Sequence, residues 1–380
     1  MNTLRSSVLS VLSRGGVVLL LAPAPACRSV SAQVPCTLAN SCERVTLTSP
    51  LSTSSVQLAT TPPVDVGETA GPCATIPVFR NMPLAQGSPE VTTAVIIVHA
   101  LERDAHQEYE TMLSAAESAG AGSTTLVVAP HYQLPAGQSC GGTVDDPAST
   151  DLVWSCDGWK DGAQAIGGPG VLLDSYAVMD QLLSLVSDRS LYPNLQRLVV
   201  TGHAAGGQFT LRYAAATASP TAVGAHFLVF NPASYLYLDD ARPGPTLTCA
   251  ADGRCEGSFT SPYVGVSGCA GYDGYPYGAA APFGAAALKT AAELKATLLS
   301  RSLELFVGDL DTLANSEGTD LDTGCEANAQ GVDRRSRAFN FHSYLEAQQS
   351  AAPLFVIPGC PDHGACLYES STGLARVFGQ

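Results

Sequence analysis

Three short stretches of this chain carry residue types that can act together on a substrate. They are Gly202-His203-Ala204-Ala205-Gly206, Gly308-Asp309-Leu310-Asp311 and Pro358-Gly359-Cys360-Pro361-Asp362-His363-Gly364. An imidazole backed by a carboxylate makes a general base, because the acid orients the ring and stabilises its protonated form. His363 supplies the imidazole. Asp311 has the better spacing from Gly308 to supply the carboxylate, and Asp309 is the alternative. The first stretch follows the apolar run Leu198-Val199-Val200-Thr201 and precedes a helix-like run from Phe209. That is the strand, sharp turn and helix setting of a Gly-Xaa-Ser-Xaa-Gly nucleophile elbow. Its glycines fit, since a side chain at either place would collide with a neighbouring element. Ala204 stands where the serine should be, so the scaffold suits acyl transfer but lacks the attacking oxygen.

Such groups meet only if strands and helices deliver them to one edge. Nearly continuous apolar runs predict strands over 94–98, 125–129, 197–201, 226–230, 302–307 and 354–357, as expected for strands covered on both faces. Helices are expected over 108–119, 173–186, 206–217, 285–299 and 334–348. This alternation predicts an α/β fold with a doubly wound, mostly parallel sheet. Ligands in open α/β sheets bind beyond the carboxyl ends of the strands, and each stretch above follows a predicted strand. His99-Ala100-Leu101 follows strand 94–98. The backbone N–H groups of Leu101 and Ala205 are the candidate pair of donors to an oxygen that gains charge.

The chain has 380 residues, 46% hydrophobic and 14% charged, which suits one large domain with an insertion or at most two domains. A net charge of -15 disfavours nucleic acid and anionic lipid as partners. Twelve cysteines point to an oxidising compartment. Cys36/Cys42, Cys249/Cys255 and Cys360/Cys366 share one spacing, and Cys140/Cys156 is a further local pair. Closing such short loops stabilises by roughly 2 kcal/mol each on the chain-entropy model. Cysteine and histidine spacings give no zinc signature, and no metal or cofactor is expected.

Residues 1–32 read as a signal peptide: Arg5 and Arg14 precede the apolar run Val17-Val18-Leu19-Leu20-Leu21-Ala22, which is too short to span a membrane. No later run reaches spanning length. Cleavage before Gln33 competes with cleavage before Cys27, where lipid anchoring is the alternative to free secretion. Cleavage at Gln33 or lipidation of Cys27 leaves an odd number of cysteines. Residues 33–89, rich in Cys, Ser, Thr and Pro, are expected to form an irregular or short-stranded leader to a domain over 90–380. The long connection over about 231–283 is rich in Gly, Pro, Tyr and Cys and reads as a cap on the sheet edge.

Taken together, the Gly202–Gln208 elbow, His99, Asp311 and His363 resemble a secreted α/β-hydrolase of the serine esterase, lipase and depolymerase type, from about residue 94 to 379. The order elbow, acid, histidine is that family's order. The resemblance implies a small-molecule or polymeric ester as substrate, attacked by serine with formation and hydrolysis of an acyl-enzyme. His99, His203, Trp154 and Tyr235 are candidate substrate contacts, with Tyr237, Tyr263, Tyr272, Tyr275 and Tyr277 crowding the cap. Against this, His99 also reads as a loop anchor and the aromatics as local packing. Three readings of Ala204 stand. It is a substitution that inactivates a hydrolase and traps its substrate, or a natural change in a ligand-binding protein, or it leaves His363 and Asp311 to act alone as a general base.

Overall fold

The computed structural model describes residues 42–47, 74–140, 142, 144–170, 172–263, 268–313, 321–361 and 364–379. The elements in chain order are β1 (Cys42–Thr46), β2 (Thr75–Arg80), β3 (Thr93–Val98), α1 (Ala105–Ser118), β4 (Thr125–Pro130), α2 (Ser175–Val186), β5 (Arg197–His203), α3 (Ala205–Ala216) and β6 (His226–Phe230). Four two-residue strands follow: β7 (Arg242–Pro243), β8 (Thr248–Cys249), β9 (Cys255–Glu256) and β10 (Phe259–Thr260). Then come α4 (Ala291–Leu299), β11 (Ser302–Gly308), α5 (Cys325–Asn328), α6 (Arg334–Ala347), β12 (Leu354–Ile357), α7 (Gly364–Glu369) and α8 (Ser371–Phe378).

Eight strands form one sheet in the order β1-β2-β4-β3-β5-β6-β11-β12. β1 and β2 are antiparallel to their neighbours, and the other six strands run parallel. All six predicted strands are present. Side chains alternate between two cores, as the two-residue period of a strand requires. Ala94, Ile96 and Val98 of β3 pack on the face with α2, α3, α4 and α6. Val95 and Ile97 pack on the face with α1, α7 and α8. Both faces are covered, which explains the unbroken apolar runs.

Within the stretch read as an irregular or short-stranded leader over 33–89, the described residues supply two short strands, β1 and β2, to the sheet, and Ile76 and Val78 are fully buried there. One expectation needs correction. The helix expected over 285–299 is broken into a single-turn 3-10 segment, Gly284–Leu288, and α4. The break is a capping box: Thr290 accepts the Glu293 N–H, and the Glu293 carboxylate accepts the Thr290 N–H.

The insertion between β6 and α4 holds two small ladders, β7 with β10 and β8 with β9. Side chains from elsewhere satisfy much of its backbone. Gln330 accepts the Tyr235 N–H at 2.7 Å and donates to the Tyr235 carbonyl at 2.8 Å. Arg242, fully buried, lies over the rings of Tyr237 and Tyr272 at 4.3 and 5.1 Å and donates to the Tyr272 and Tyr277 carbonyls. Among the described residues the disulfides are Cys140–Cys156, Cys249–Cys255, Cys269–Cys325 and Cys360–Cys366. Three were expected. Cys269–Cys325 was not, since its partners are 56 residues apart. Cys42 is also disulfide-bonded, while Cys36 lies outside the described residues. No helix among the described residues is long and apolar enough to cross a membrane.

Backbone approaches backbone very closely where β5 meets α3. A Cβ on Gly206 would lie 2.0 Å from the Val98 carbonyl oxygen, and one on Gly202 would lie 2.5 Å from the Gly206 carbonyl carbon. Backbone atoms cannot move aside cheaply. Gly206→Ala is therefore expected to lower unfolding stability by about 3 kcal/mol or more, the upper range for overpacking. Gly224→Ala, where the added carbon meets nothing within 4 Å, is expected to stay within about 0.5 kcal/mol of the parent. Urea unfolding curves of the two variants compare them directly.

Candidate active site

β3 has β4 on one side and β5 on the other, so the chain's winding direction reverses between β3 and β5. A crevice opens at such a point beyond the strand ends. Ala204 sits there with φ 49° and ψ -111°, a backbone conformation that L residues rarely adopt. Such a residue costs on the order of 1–3 kcal/mol and persists only where its surroundings over-determine it. Here the Ala204 N–H donates to the Phe230 carbonyl at 3.1 Å, and the Ala204 carbonyl accepts the Gln208 N–H at 3.0 Å. Ala204 is also the N-cap of α3 and caps it with no side chain. The amide end of the helix, led by Ala205, thus faces the crevice with its partial positive charge.

The acid corner lies two strands away. Asp311 is 4% exposed, and its Oδ2 accepts a hydrogen bond from Asn231 Nδ2 at 2.7 Å. Asn231 Oδ1 accepts the Gly308 N–H at 3.1 Å. Asn231 is itself left-handed (φ 41°), fully buried, and donates its N–H to the Phe306 carbonyl at 3.0 Å. Arg334 Nη1 stands 4.0 Å from Asp311 Oδ1. Asp309 does something else: its Oδ1 accepts the Gly359 N–H at 2.7 Å and fastens the loop after β12. Asn231 was singled out in the sequence only as the start of the insertion. An Asn directly after an apolar strand run was the signal available.

Asp362 and His363 lie outside the described residues. The residues on either side of them are placed. The Cys360 and Pro361 carbonyls come so close to Gly308 that a Cβ there would lie 2.1 and 2.6 Å from their oxygens, and the Leu310 N–H donates to Cys360 O at 3.1 Å. Gly364 abuts His203, whose Cγ would lie 3.1 Å from a Cβ on it. Cys360–Cys366 ties the two ends of this loop together.

A cleft of about 590 Å³ opens beside the elbow. Leu101 and Ala205 both line it. Along its floor run Gln208 and Arg212 of α3, with Lys160 and Asp161 from the 3-10 turn Gly158–Asp161. Arg212 Nη1 donates to Asp161 Oδ1 at 2.6 Å, and both side chains are buried. Burial pushes the Asp161 carboxyl up, with Arg212 opposing the shift. Sequence reasoning missed Arg212, whose signal was its spacing: Ala204, Gln208 and Arg212 recur every four residues on one helix face. Among the described residues one cluster has metal-ligand proximity, Cys269, Cys325 and Glu326. Its two sulfurs are bonded to each other, so it offers no thiolate.

The expected substrate contacts fall elsewhere. Trp154 is fully buried, its Nε1 donating to the Ala163 carbonyl at 3.1 Å. Tyr235 is fully buried and stacks on Phe341 at 4.6 Å. His203 is 7% exposed and supports Gly364. Of the tyrosines expected to crowd the cap, Tyr277 lines the cleft. His99 is a loop anchor: fully buried, it bonds the Ala100 carbonyl through Nδ1 at 2.9 Å and accepts the Tyr132 N–H at Nε2, at 3.1 Å. That pairing requires the neutral ring with its proton on Nδ1. Burial, reinforced by His131, holds the His99 pKa down at about 3. The unfolded ring takes a proton below its ordinary value near 6.5 and the folded one does not, so His99 contributes stability above pH 6.5 that is lost as pH falls toward 3. His99→Gln is expected to flatten the fall in unfolding free energy between pH 6.5 and 4, by up to about 1.4 kcal/mol per pH unit, in denaturant titrations run at several pH values.

Comparison with known proteins places this architecture. No family model matches the chain, and no curated protein matches it in sequence. Solved structures do match it. LpqC, a poly(3-hydroxybutyrate) depolymerase from Bordetella parapertussis, gives a TM-score of 0.52 at 18% identity, over 81% of this chain and 87% of that one. Poly(aspartic acid) hydrolase-1 from Sphingomonas sp. KT-1 gives 0.52 at 20% identity, over 80% and 94%. With its parallel sheet wound in both directions from β3 and a strained turn at the end of β5, the chain has the α/β-hydrolase fold.

Proposed function

We propose that this chain carries the site of a serine-type carboxylic-ester hydrolase from which the nucleophilic oxygen is missing, so that as written it holds an ester in the cleft without forming an acyl-enzyme. The observation that carries this is the backbone of Ala204. It keeps the strained φ of 49° at the strand–helix junction, a geometry whose use is to lift a side chain over the sheet edge. A serine hydroxyl there would attack the ester carbonyl. His363 would take its proton and return it to the leaving alcohol, and Asp311, held by Asn231, would orient the ring. The N–H groups of Leu101 and Ala205 would receive the developing oxyanion. Support for His363 is that its chain neighbours are anchored at Gly308 on one side and at His203 on the other. Support for Asp311 over Asp309 is its burial and its bond from Asn231. The likeness to a poly(3-hydroxybutyrate) depolymerase, whose named substrate is a polyester, agrees with ester cleavage; poly(aspartic acid) is a polyamide, so the second likeness agrees only with acyl transfer. A signal peptide over 1–32 and export complete the reading, and the disulfides agree with an oxidising compartment.

Ala204→Ser is expected to hydrolyse short p-nitrophenyl esters and to be labelled by a fluorophosphonate probe, with a gain on the order of 10⁶ in rate over the alanine form. Adding His363→Ala should abolish both. A serine form with neither turnover nor labelling overturns the proposal. In the serine background, Asn231→Ala is expected to lower kcat by about 10²-fold with little change in KM, because it loosens the acid rather than the cleft. Steady-state kinetics on one ester separates the two constants.

A further inference from the structure

The cleft walls also bear on what kind of ester fits, and the inference rests on the hydrolase reading above. Two cations, Lys160 and Arg212, share the lining with three carboxylates, Asp157, Asp161 and Asp322. Each is already engaged. Lys160 pairs with Asp157. Arg212 bonds Asp161 through Nη1, donates to Ser234 Oγ from Nη2 at 3.0 Å, and reaches the Pro276 carbonyl from Nε at 3.3 Å. Asp322 accepts the Tyr277 hydroxyl at 2.6 Å and the Gly324 N–H at 2.9 Å. Gln208 donates to the same Ser234 Oγ at 2.6 Å. Leu101, Ala205, Ala233, Pro276 and Leu321 add an apolar lining about equal in extent to the polar one.

Each ligand class meets these groups differently. A hydrocarbon chain would strip water from ion pairs and return no hydrogen bond. An anion meets an excess of carboxylate on a chain of net charge -15. A cation meets carboxylates whose donors are already in place. A hydroxyl both donates and accepts, needs no counter-charge, and forms its stronger bonds to charged groups. We propose that the cleft selects an ester whose acyl or alcohol group is neutral and carries hydroxyls, with Arg212, Asp161 and Gln208 as the groups that read it.

The test uses the Ala204→Ser protein and matched ester pairs: glycerol monobutyrate against butyl butyrate, and methyl lactate against methyl propionate, with acid release followed by pH-stat. The hydroxylated member of at least one pair is expected to show a kcat/KM higher by about tenfold or more, the scale of one bond to a charged group. The double variant Asp161→Leu, Arg212→Met removes both charges together and should bring that ratio close to one. Equal or reversed preference in both pairs overturns the proposal, and so does a higher kcat/KM for butyrylcholine than for the hydroxylated esters. If the serine form cleaves none of these esters, it is the catalytic reading that fails. Calorimetric titration of the alanine protein then decides the selectivity: tighter binding of glycerol monobutyrate than of butyl butyrate upholds it, and equal or weaker binding rejects it.

Discussion

The backbone contact between Gly206 and the Val98 carbonyl sets the geometry of everything around the site. With no side chain at 206, the first turn of α3 lies directly on the end of β3. Leu101, just past β3, and Ala205, at the start of α3, therefore share one cleft wall. The same closeness forces the chain to reverse within a single residue, and that residue is Ala204 at positive φ. The strain is local, and the stabilisation that tolerates it comes from the sheet on one side and from a helix buried along its whole length on the other.

The second organising feature is a row of strand ends tied sideways. The Ala204 N–H donates to the Phe230 carbonyl, the Asn231 N–H to Phe306, and the Asp309 N–H to Ile357. Each strand thus fixes the first loop residues of its neighbour, so the elbow, Asn231, Asp311 and the loop after β12 are held in one register without a regular element among them. The insertion is tied to the same row. Arg337 donates to the Ala233 and Gly331 carbonyls and to Asn328, and burial draws its pKa down to about 10. Cys269–Cys325 adds a covalent tie across 56 residues, which stabilises by about 4 kcal/mol on the chain-entropy model. A cleft wall built from loops acquires in this way the fixity of the sheet.

The parallel strands were legible because burial on both faces leaves an unbroken apolar run, as in Thr93–Val98. Thr75–Arg80 escaped notice because Pro77 and the terminal Arg80 interrupt its pattern, although Ile76, Val78 and Phe79 are buried. The break before Ala291 was written in the sequence as Thr290 followed three residues later by Glu293, but an alanine-rich run masks such a cap. In the site, the elbow and the acid position follow from residue types at strand ends. The aromatic contacts do not. Tyr235 and Trp154 have the composition of a binding cleft and the packing of a core, and only their partners distinguish the two, Phe341 far along the chain for Tyr235 and the Ala163 carbonyl nine residues on for Trp154. The groups that do line the cleft, Arg212 and Asp161, come from segments 51 residues apart, a pairing that no local pattern encodes.

Alanine at position 204 separates fold from chemistry cleanly. The cost of a positive φ there arises from the Cβ, which alanine and serine share, so either residue would carry the same strain. The acid corner behaves differently. Asp311 is buried, and a buried carboxylate is unfavourable unless it is bonded. The bond from Asn231 and the nearby Arg334 meet that need whatever stands at 204. The bonds of Asp311 therefore do not depend on the side chain at 204.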